Sequence, residues 1–507
     1  MTRKMGLPKD LAMGTEIHGE RVSSRFSRGK NVKKKYSTLT ERAYRRRRSY
    51  VLLRSMIALL IVILALLAGL LIYETGKMKT YSNPYAKALE EKQAAAAKEE
   101  SSAGSDSDLE GVKAQANLLA TQYDYDGAIT LLKAQKDFGK NDQLKALVNS
   151  YEQTKGSCQP YPIDQITHVF FHSLVVNDAK AFDSDATAAG YNQVMTTISE
   201  FNGIIQQMYD KGYVMISLHD MCEVADDGTV SKKEILLPPG KKPFVLSQDD
   251  CSYYHYMKDD GFPQKLVVTE EGKVKNSLLQ DDGTVSIGDY DVVPLIDTFV
   301  EQHPDFSYHG RKGILALTGY EGVLGYRTDE VYKTRDPARV TEYQQEFFDE
   351  NPDFDYDKDC ADAKAVADAM KAEGWEFASH TWGHIAPLQY SLDAVKQDTE
   401  RWLNNVAPIV GDTDVLIFAF GADIGDWHPY THDNAYFDYL KSKKFSIYCN
   451  VDGSVKSWVQ FGPDYMRQAR RNLDGYRMYY NPDLLSDLFD VKSVWDSNRP
   501  TPVPKMG

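Results

Sequence analysis

Residues 55–73 (SMIALLIVILALLAGLLIY) carry no charge at all, and no other feature restricts this chain as much. The run reaches the roughly 18-residue minimum for a transmembrane helix and exceeds the apolar core of a signal peptide. No polar face interrupts it, which argues against an ordinary buried helix. It also divides the charge. Residues 1–54 hold 16 Lys and Arg against 4 Asp and Glu, a net of +12, so the remainder carries −26 against a whole-chain −14. Lys33–Lys35 and Arg45–Arg48 lie on the N-terminal flank. The positive-inside rule therefore puts the N-terminus in the cytoplasm and residues 74–507 outside. The expectation is a single-pass type II protein of the cell membrane. Its basic tail (1–54) serves orientation and attraction to anionic lipid, with no nucleic-acid role.

Beyond the span the texture changes twice. Residues 74–108, rich in Ala, Lys, Glu and Ser, read as a stalk and flexible linker. Residues 109–156 show helical periodicity, and DYDGAITLLKA (124–134) is similar to the second half of a tetratricopeptide repeat. A lone repeat cannot bury its own face, so this is a small helical spacer resting on the main domain or on a protein partner. From 160 to 495 the pattern is α/β. Apolar, β-branched or aromatic runs at 166–171, 213–217, 243–247, 313–318, 375–379, 414–420 and 445–450 read as strands. Helical periodicities at 191–210, 290–303, 361–373, 392–407 and 434–442 fall between several of them, the alternation of a parallel sheet or barrel. Residues 252–290 form a polar excursion, and 496–507 a C-terminal tail. Cys158, Cys222, Cys251, Cys360 and Cys449 are scattered without a CxxC pair, which speaks against a cysteine zinc site, and no disulfide is expected.

The chemistry stands just past the strand ends. His172 follows VFF, Asp249 and Asp250 follow VLSQ, His380 follows EFAS with His384 four residues on, and Gly421 follows LIFAF. In parallel β/α barrels the C-terminal strand ends converge on the active site. An Asp-Asp pair alone is usually a solvated turn, and two histidines can be neighbours by chance. Their convergence is the signal, and it is the inventory of a metallohydrolase: imidazole and carboxylate ligands plus a spare acid and base. His428 and His432 share the spacing of His380 and His384 but enclose Pro429 and follow no strand, so they read as a loop.

SQDD and SHTWGH resemble the first two motifs of the NodB-homology polysaccharide deacetylases, carbohydrate esterase family 4: a Thr-Phe-Asp-Asp-Gly turn and a His-Ser/Thr-x-x-His pair. The resemblance implies a deformed (β/α) barrel of about seven strands. It implies a divalent metal, zinc in most members, on Asp250, His380 and His384, with Asp249 as general base and Thr381 orienting the loop. The third motif, Arg-x-Pro-Tyr-Gly, keeps only its aromatic and glycine at 417–421. By resemblance the backbone N–H of Phe420 serves the oxyanion hole, while the arginine that usually orients the base is missing. Cys251 stands where the family has glycine. The family's C-terminal acid histidine is absent too. Poly-N-acetylglucosamine deacetylases carry it early, an order similar to His172 here. DIGDW (423–427) resembles the family's Asp-Trp motif. The implied activity is removal of N-acetyl groups from an extracellular polysaccharide, of peptidoglycan or poly-N-acetylglucosamine type. A rival expectation is a catalytically impaired barrel that binds wall glycan as a scaffold, which the lost arginine favours. A second rival is a membrane adaptor working through the helical spacer.

Overall fold

Strands and helices alternate along most of the chain, and the computed structural model describes them over residues 106–506. The basic tail, the run 55–73 and nearly all of the stalk lie outside the described residues. Among the described residues no helix is long and apolar enough to cross a membrane.

Eight parallel strands matter: β1 (Thr167–Phe171), β2 (Tyr213–Ile216), β3 (Lys242–Asp249), β4 (Ile314–Leu317), β5 (Glu376–Ser379), β6 (Val415–Ile417), β7 (Ile447–Val451) and β8 (Met466–Asn472). Seven close into a ring in the order β1-β3-β4-β5-β6-β7-β8, with β8 returning to β1 through Arg470 opposite His168. β2 stays outside that ring. It pairs with the first half of β3, Tyr213 opposite Lys242 to Ile216 opposite Val245, while β4 pairs with the end of β3. The barrel is therefore deformed where β3 changes neighbours.

Period-two alternation sorts the side chains. Along β3 and β4, Phe244, Leu246, Leu315 and Leu317 face the surrounding helices. Val245, Ile314 and Ala316 fall instead in the cluster that includes Ala378, Ile417 and Cys449. Burying each large outward side chain contributes about 1.5–3 kcal/mol. The helices announce themselves at their starts. Thr197 and Glu200 form a reciprocal capping box before Ile198–Asp210, and Ser391 caps Leu392–Asn405, each satisfying backbone donors the first turn leaves open.

β8 was not among the expected strands, because MRQARRN reads as a solvated charged stretch. Its three arginines are all buried, and each has an acidic partner. Arg467 pairs with Asp423, Arg470 with Asp249 at 2.7 Å, and Arg471 with Asp487 at 2.9 Å. Pairing of this kind is what makes burial of a guanidinium tolerable.

Helices α1 (Asp106–Thr121), α2 (Tyr125–Lys133) and α3 (Asp142–Ser157) form the spacer. Their buried face, including Ala128, Leu132, Leu144 and Val148, is continuous with Leu218, Met221 and Tyr308 of the barrel domain. Tyr123 stacks on Tyr308 at 6.1 Å and its hydroxyl donates to the Asp305 carbonyl at 2.7 Å. The spacer thus rests on the barrel domain. The excursion 252–290 contains three antiparallel strands, Lys265–Val268, Val274–Leu279 and Val285–Gly288. The C-terminal segment is anchored as well: Arg499 is buried, pairs with Glu200 and donates to the Met195 carbonyl at 3.0 Å. All five cysteines are free thiols.

Candidate metal centre

The alternation that turns Val245 and Ser247 into the barrel does the same for Asp249, whereas Gln248 points outward and donates to Asp291 at 2.9 Å. Asp249 is only 3% exposed. Burial alone would raise its pKa, but the Arg470 guanidinium outweighs that effect, with His380 assisting, and holds it at about 2. Arg470 also reaches Ser247 Oγ at 3.2 Å and lies over the Phe170 ring at 4.2 Å. The residue beneath the mouth is an ionised carboxylate locked in an ion pair.

Asp250, one residue later, has left the strand. Its φ of 57° turns the chain, and its N–H donates to the Ala316 carbonyl at 3.1 Å. His380 stands at the end of β5 and is buried. Its Nδ1 donates to the Ile417 carbonyl at 2.7 Å, which leaves Nε2 with a lone pair facing the mouth. Burial pushes the His380 pKa down, which favours the neutral ring that a metal needs. His380 Nε2 lies 3.8 Å from Asp249 Oδ2, and His384 Nε2 lies 3.5 Å from Asp250 Oδ2. One ligand atom from each of Asp250, His380 and His384 falls within 4.8 Å of the others, the single such group among the described residues.

The turn carrying the histidines is tied down from two sides. The Asp398 carboxylate, on helix Leu392–Asn405, accepts the N–H groups of Trp382 and Gly383, both at 2.7 Å. The Thr381 hydroxyl accepts the Ile385 N–H at 2.8 Å. This fixing holds an unfavourable backbone. Asp250 (φ 57°), Thr381 (64°), His384 (49°) and Phe420 (57°) all sit in the left-handed region, at a cost of order 1–3 kcal/mol each.

Phe420 follows β6 and presses its ring edge-on to His384 at 4.3 Å, while 73% of it remains exposed. Gly421 beside it has φ 63°, and a Cβ there would come within 2.4 Å of Val451 Cβ, so only glycine lets this turn approach β7. His172 is half-buried just beyond β1, with Nδ1 3.2 Å from the Val194 carbonyl, and near enough for a charge on it to lower the pKa of Asp249. The predicted set Asp249, Asp250, His380, His384, Phe420 and His172 is therefore gathered at one barrel end, with Thr381 in the turn between His380 and His384. His428 and His432 join no such group. His432 lies between Asp438 and Asp464, and the His428 ring packs tilted against Trp427. Within DIGDW, Asp423 is engaged by Arg467 and Tyr430, and Trp427 is 71% exposed.

The donor set of one carboxylate and two imidazoles, convergent and partly sheltered, fits zinc or a similar divalent ion. Two residues of the site escaped the sequence reading. Arg470 was hidden in a charged stretch, and Tyr254, whose hydroxyl donates to Asp250 Oδ1 at 2.9 Å, is one tyrosine among 32. For Arg470 the usable signal was three arginines interrupting an apolar pattern after the last recognised strand.

No family model and no curated protein sequence matches the chain. Among solved structures, the Streptococcus pyogenes deacetylase PplD in complex with acetate is similar at 12% identity and a TM-score of 0.33, covering 65% of this chain and 100% of that one. BC0361, a polysaccharide deacetylase from Bacillus cereus, is similar at 10% identity and a TM-score of 0.30, covering 66% of this chain and 70% of that one. Likeness at this level carries no inference about chemistry, which rests here on the side chains.

Proposed function

We propose that the chain is a metal-dependent amide hydrolase that removes N-acetyl groups from a polysaccharide outside the cell membrane, of peptidoglycan or poly-N-acetylglucosamine type. One observation carries the reading: adjacent carboxylates face different partners, Asp249 toward Arg470 at 2.7 Å and Asp250 toward His384 at 3.5 Å. The first is suited to proton transfer and the second to ligation.

Asp250, His380 and His384 would hold a divalent cation, zinc by its preference for mixed imidazole and carboxylate donors. That cation supplies Lewis acidity, polarising the acetyl carbonyl and acidifying the attacking water enough for a weak base to deprotonate it. Asp249 is the base. Its low pKa keeps it ionised throughout the physiological range, and Arg470 holds its carboxylate in one orientation. The Phe420 N–H donates to the oxygen that becomes anionic in the tetrahedral intermediate. His172, its ring fixed through Nδ1, gives a proton to the departing amine. The products are acetate and a glucosamine unit. The exposed Phe420 ring offers a flat apolar face to a sugar.

The scaffold reading drew its strength from a missing arginine. Arg470 next to the base removes that support. The uncharged run 55–73 and its basic flank favour a substrate on the outer side of the membrane. Acetate release from peptidoglycan, chitin oligomers and acetylxylan, with and without chelator, tests the proposal. Release from the first two, abolished by chelation, is expected. Release from acetylxylan alone would make the protein an O-deacetylase, and no release from any substrate by the metal-loaded protein would restore the scaffold reading.

A further inference from the structure

Asp250 has two carboxylate oxygens, and they face different groups. Oδ2 lies 3.5 Å from His384 Nε2, whereas Oδ1 accepts the Tyr254 hydroxyl at 2.9 Å. Tyr254 is 3% exposed, and its ring is sandwiched in a stack of three. Tyr320 lies parallel to it at 4.7 Å and Tyr256 at 5.6 Å. The hydroxyl consequently has little freedom to leave the carboxylate.

It is also backed by a second hydroxyl. Tyr254 Oη is 2.6 Å from Thr318 Oγ1, just past β4, and Thr318 Oγ1 is 3.3 Å from Ser252 Oγ. A phenol has one proton. With that proton donated in the hydrogen bond to Asp250, Thr318 must donate to Tyr254, and Thr318 is left to accept from Ser252. Three hydroxyls then align with every proton directed at the carboxylate, an arrangement in which each bond polarises the next. The chain reaches Asp250 because its backbone doubles back. φ is 57° at Asp250 and 46° at Tyr253, and the Ser252 N–H donates to the Asp250 carbonyl at 2.6 Å.

We propose that Tyr254, supported by Thr318, is a positioning residue for the metal. It occupies Oδ1 so that Asp250 offers Oδ2 alone, beside the imidazoles of His380 and His384. Three single-atom protein ligands are the set found where a metal must also accept water and substrate. Hydrogen bonds that orient a ligating carboxylate typically change metal affinity roughly 10–100-fold when removed. The inference rests on the reading of Asp250 as a ligand.

Tyr254→Phe preserves the aromatic stack and deletes only the hydroxyl. The zinc dissociation constant of the full chain, measured by competition with a chromophoric chelator, is expected to rise roughly 10–100-fold in this variant. The midpoint of thermal unfolding of the metal-free protein should stay close to that of the parent. Equal zinc affinity in Tyr254→Phe and the parent overturns the inference while leaving the functional reading intact. A parent chain that binds no zinc overturns both. If Tyr254→Phe fails to fold by circular dichroism, Thr318→Val decides: weaker zinc binding supports the inference, and unchanged binding overturns it.

Discussion

Arg470 Nη1 lies 2.7 Å from Asp249 Oδ1 although the two residues stand on β8 and β3, separated in the ring by β1. They meet inside the barrel over Phe170. A carboxylate that burial would neutralise is thereby kept ionised, and the guanidinium is supplied from the last ring strand rather than from the turn after β6.

Removing one half of this pair should cost more than removing both. Arg470→Met leaves Asp249 buried without its partner, and loss of one member of a buried ion pair costs about 3–5 kcal/mol. Adding Asp249→Asn to that variant should recover part of the loss. Urea unfolding of the two single variants and the double variant checks this, and purely additive losses would contradict it.

His172→Ala should retain metal yet lose roughly 10²–10⁴-fold in rate on an N-acetylated sugar, the usual worth of a positioned acid. On an aryl acetate the loss should shrink, because a good leaving group needs no proton. Steady-state rates on both substrates make the comparison, and equal losses would assign His172 a structural role.

A different histidine predicts a pH dependence of stability. His219 lies between Glu376 at 3.3 Å and Asp414 at 2.9 Å. Burial lowers its pKa, but the two carboxylates prevail and raise it from 6.5 to about 10. The folded state therefore holds this proton more tightly than the unfolded chain. The stabilisation is complete below about pH 6.5 and is lost as pH rises through about 10. The difference in unfolding midpoint between parent and His219→Gln should shrink over that interval. A difference that grows with pH would reverse the assignment.

Much of this architecture is legible in the sequence, because the ring strands β1 and β3–β7 are apolar runs and the residues just past three of them are the charged or imidazole groups of the site. The rest is hidden for physical reasons. β8 contains Arg467, Arg470 and Arg471, and only the tertiary partners Asp423, Asp249 and Asp487 make their burial affordable. Conversely, YVMIS looks like a ring strand, but Tyr213–Ile216 pairs only with the start of β3 among the named strands. Its period-two pattern is that of any buried strand and says nothing about ring closure. Tyr254 could not be singled out either, since its role depends on left-handed turns at Asp250 and Tyr253 that no local preference requires. The Asp250, His380 and His384 group was readable because rigid strand ends aim two of its segments at the mouth.

The choice between histidine pairs can be checked separately. His384→Ala removes one of three ligands and should lower zinc affinity by more than tenfold, whereas His428 packs against Trp427 outside the group and His428→Ala should leave it unchanged. Calorimetric zinc titration of both variants distinguishes them, and the opposite pattern would move the metal to the other pair.

The central claim is that two adjacent carboxylates do different work, and metal content per purified chain of Asp249→Asn and Asp250→Asn tests it most directly. Asparagine keeps the shape of each side chain and removes its charge. The account predicts that Asp249→Asn retains the metal of the parent while releasing no acetate, and that Asp250→Asn is depleted of metal. A metal-free Asp249→Asn beside a fully loaded Asp250→Asn would contradict it.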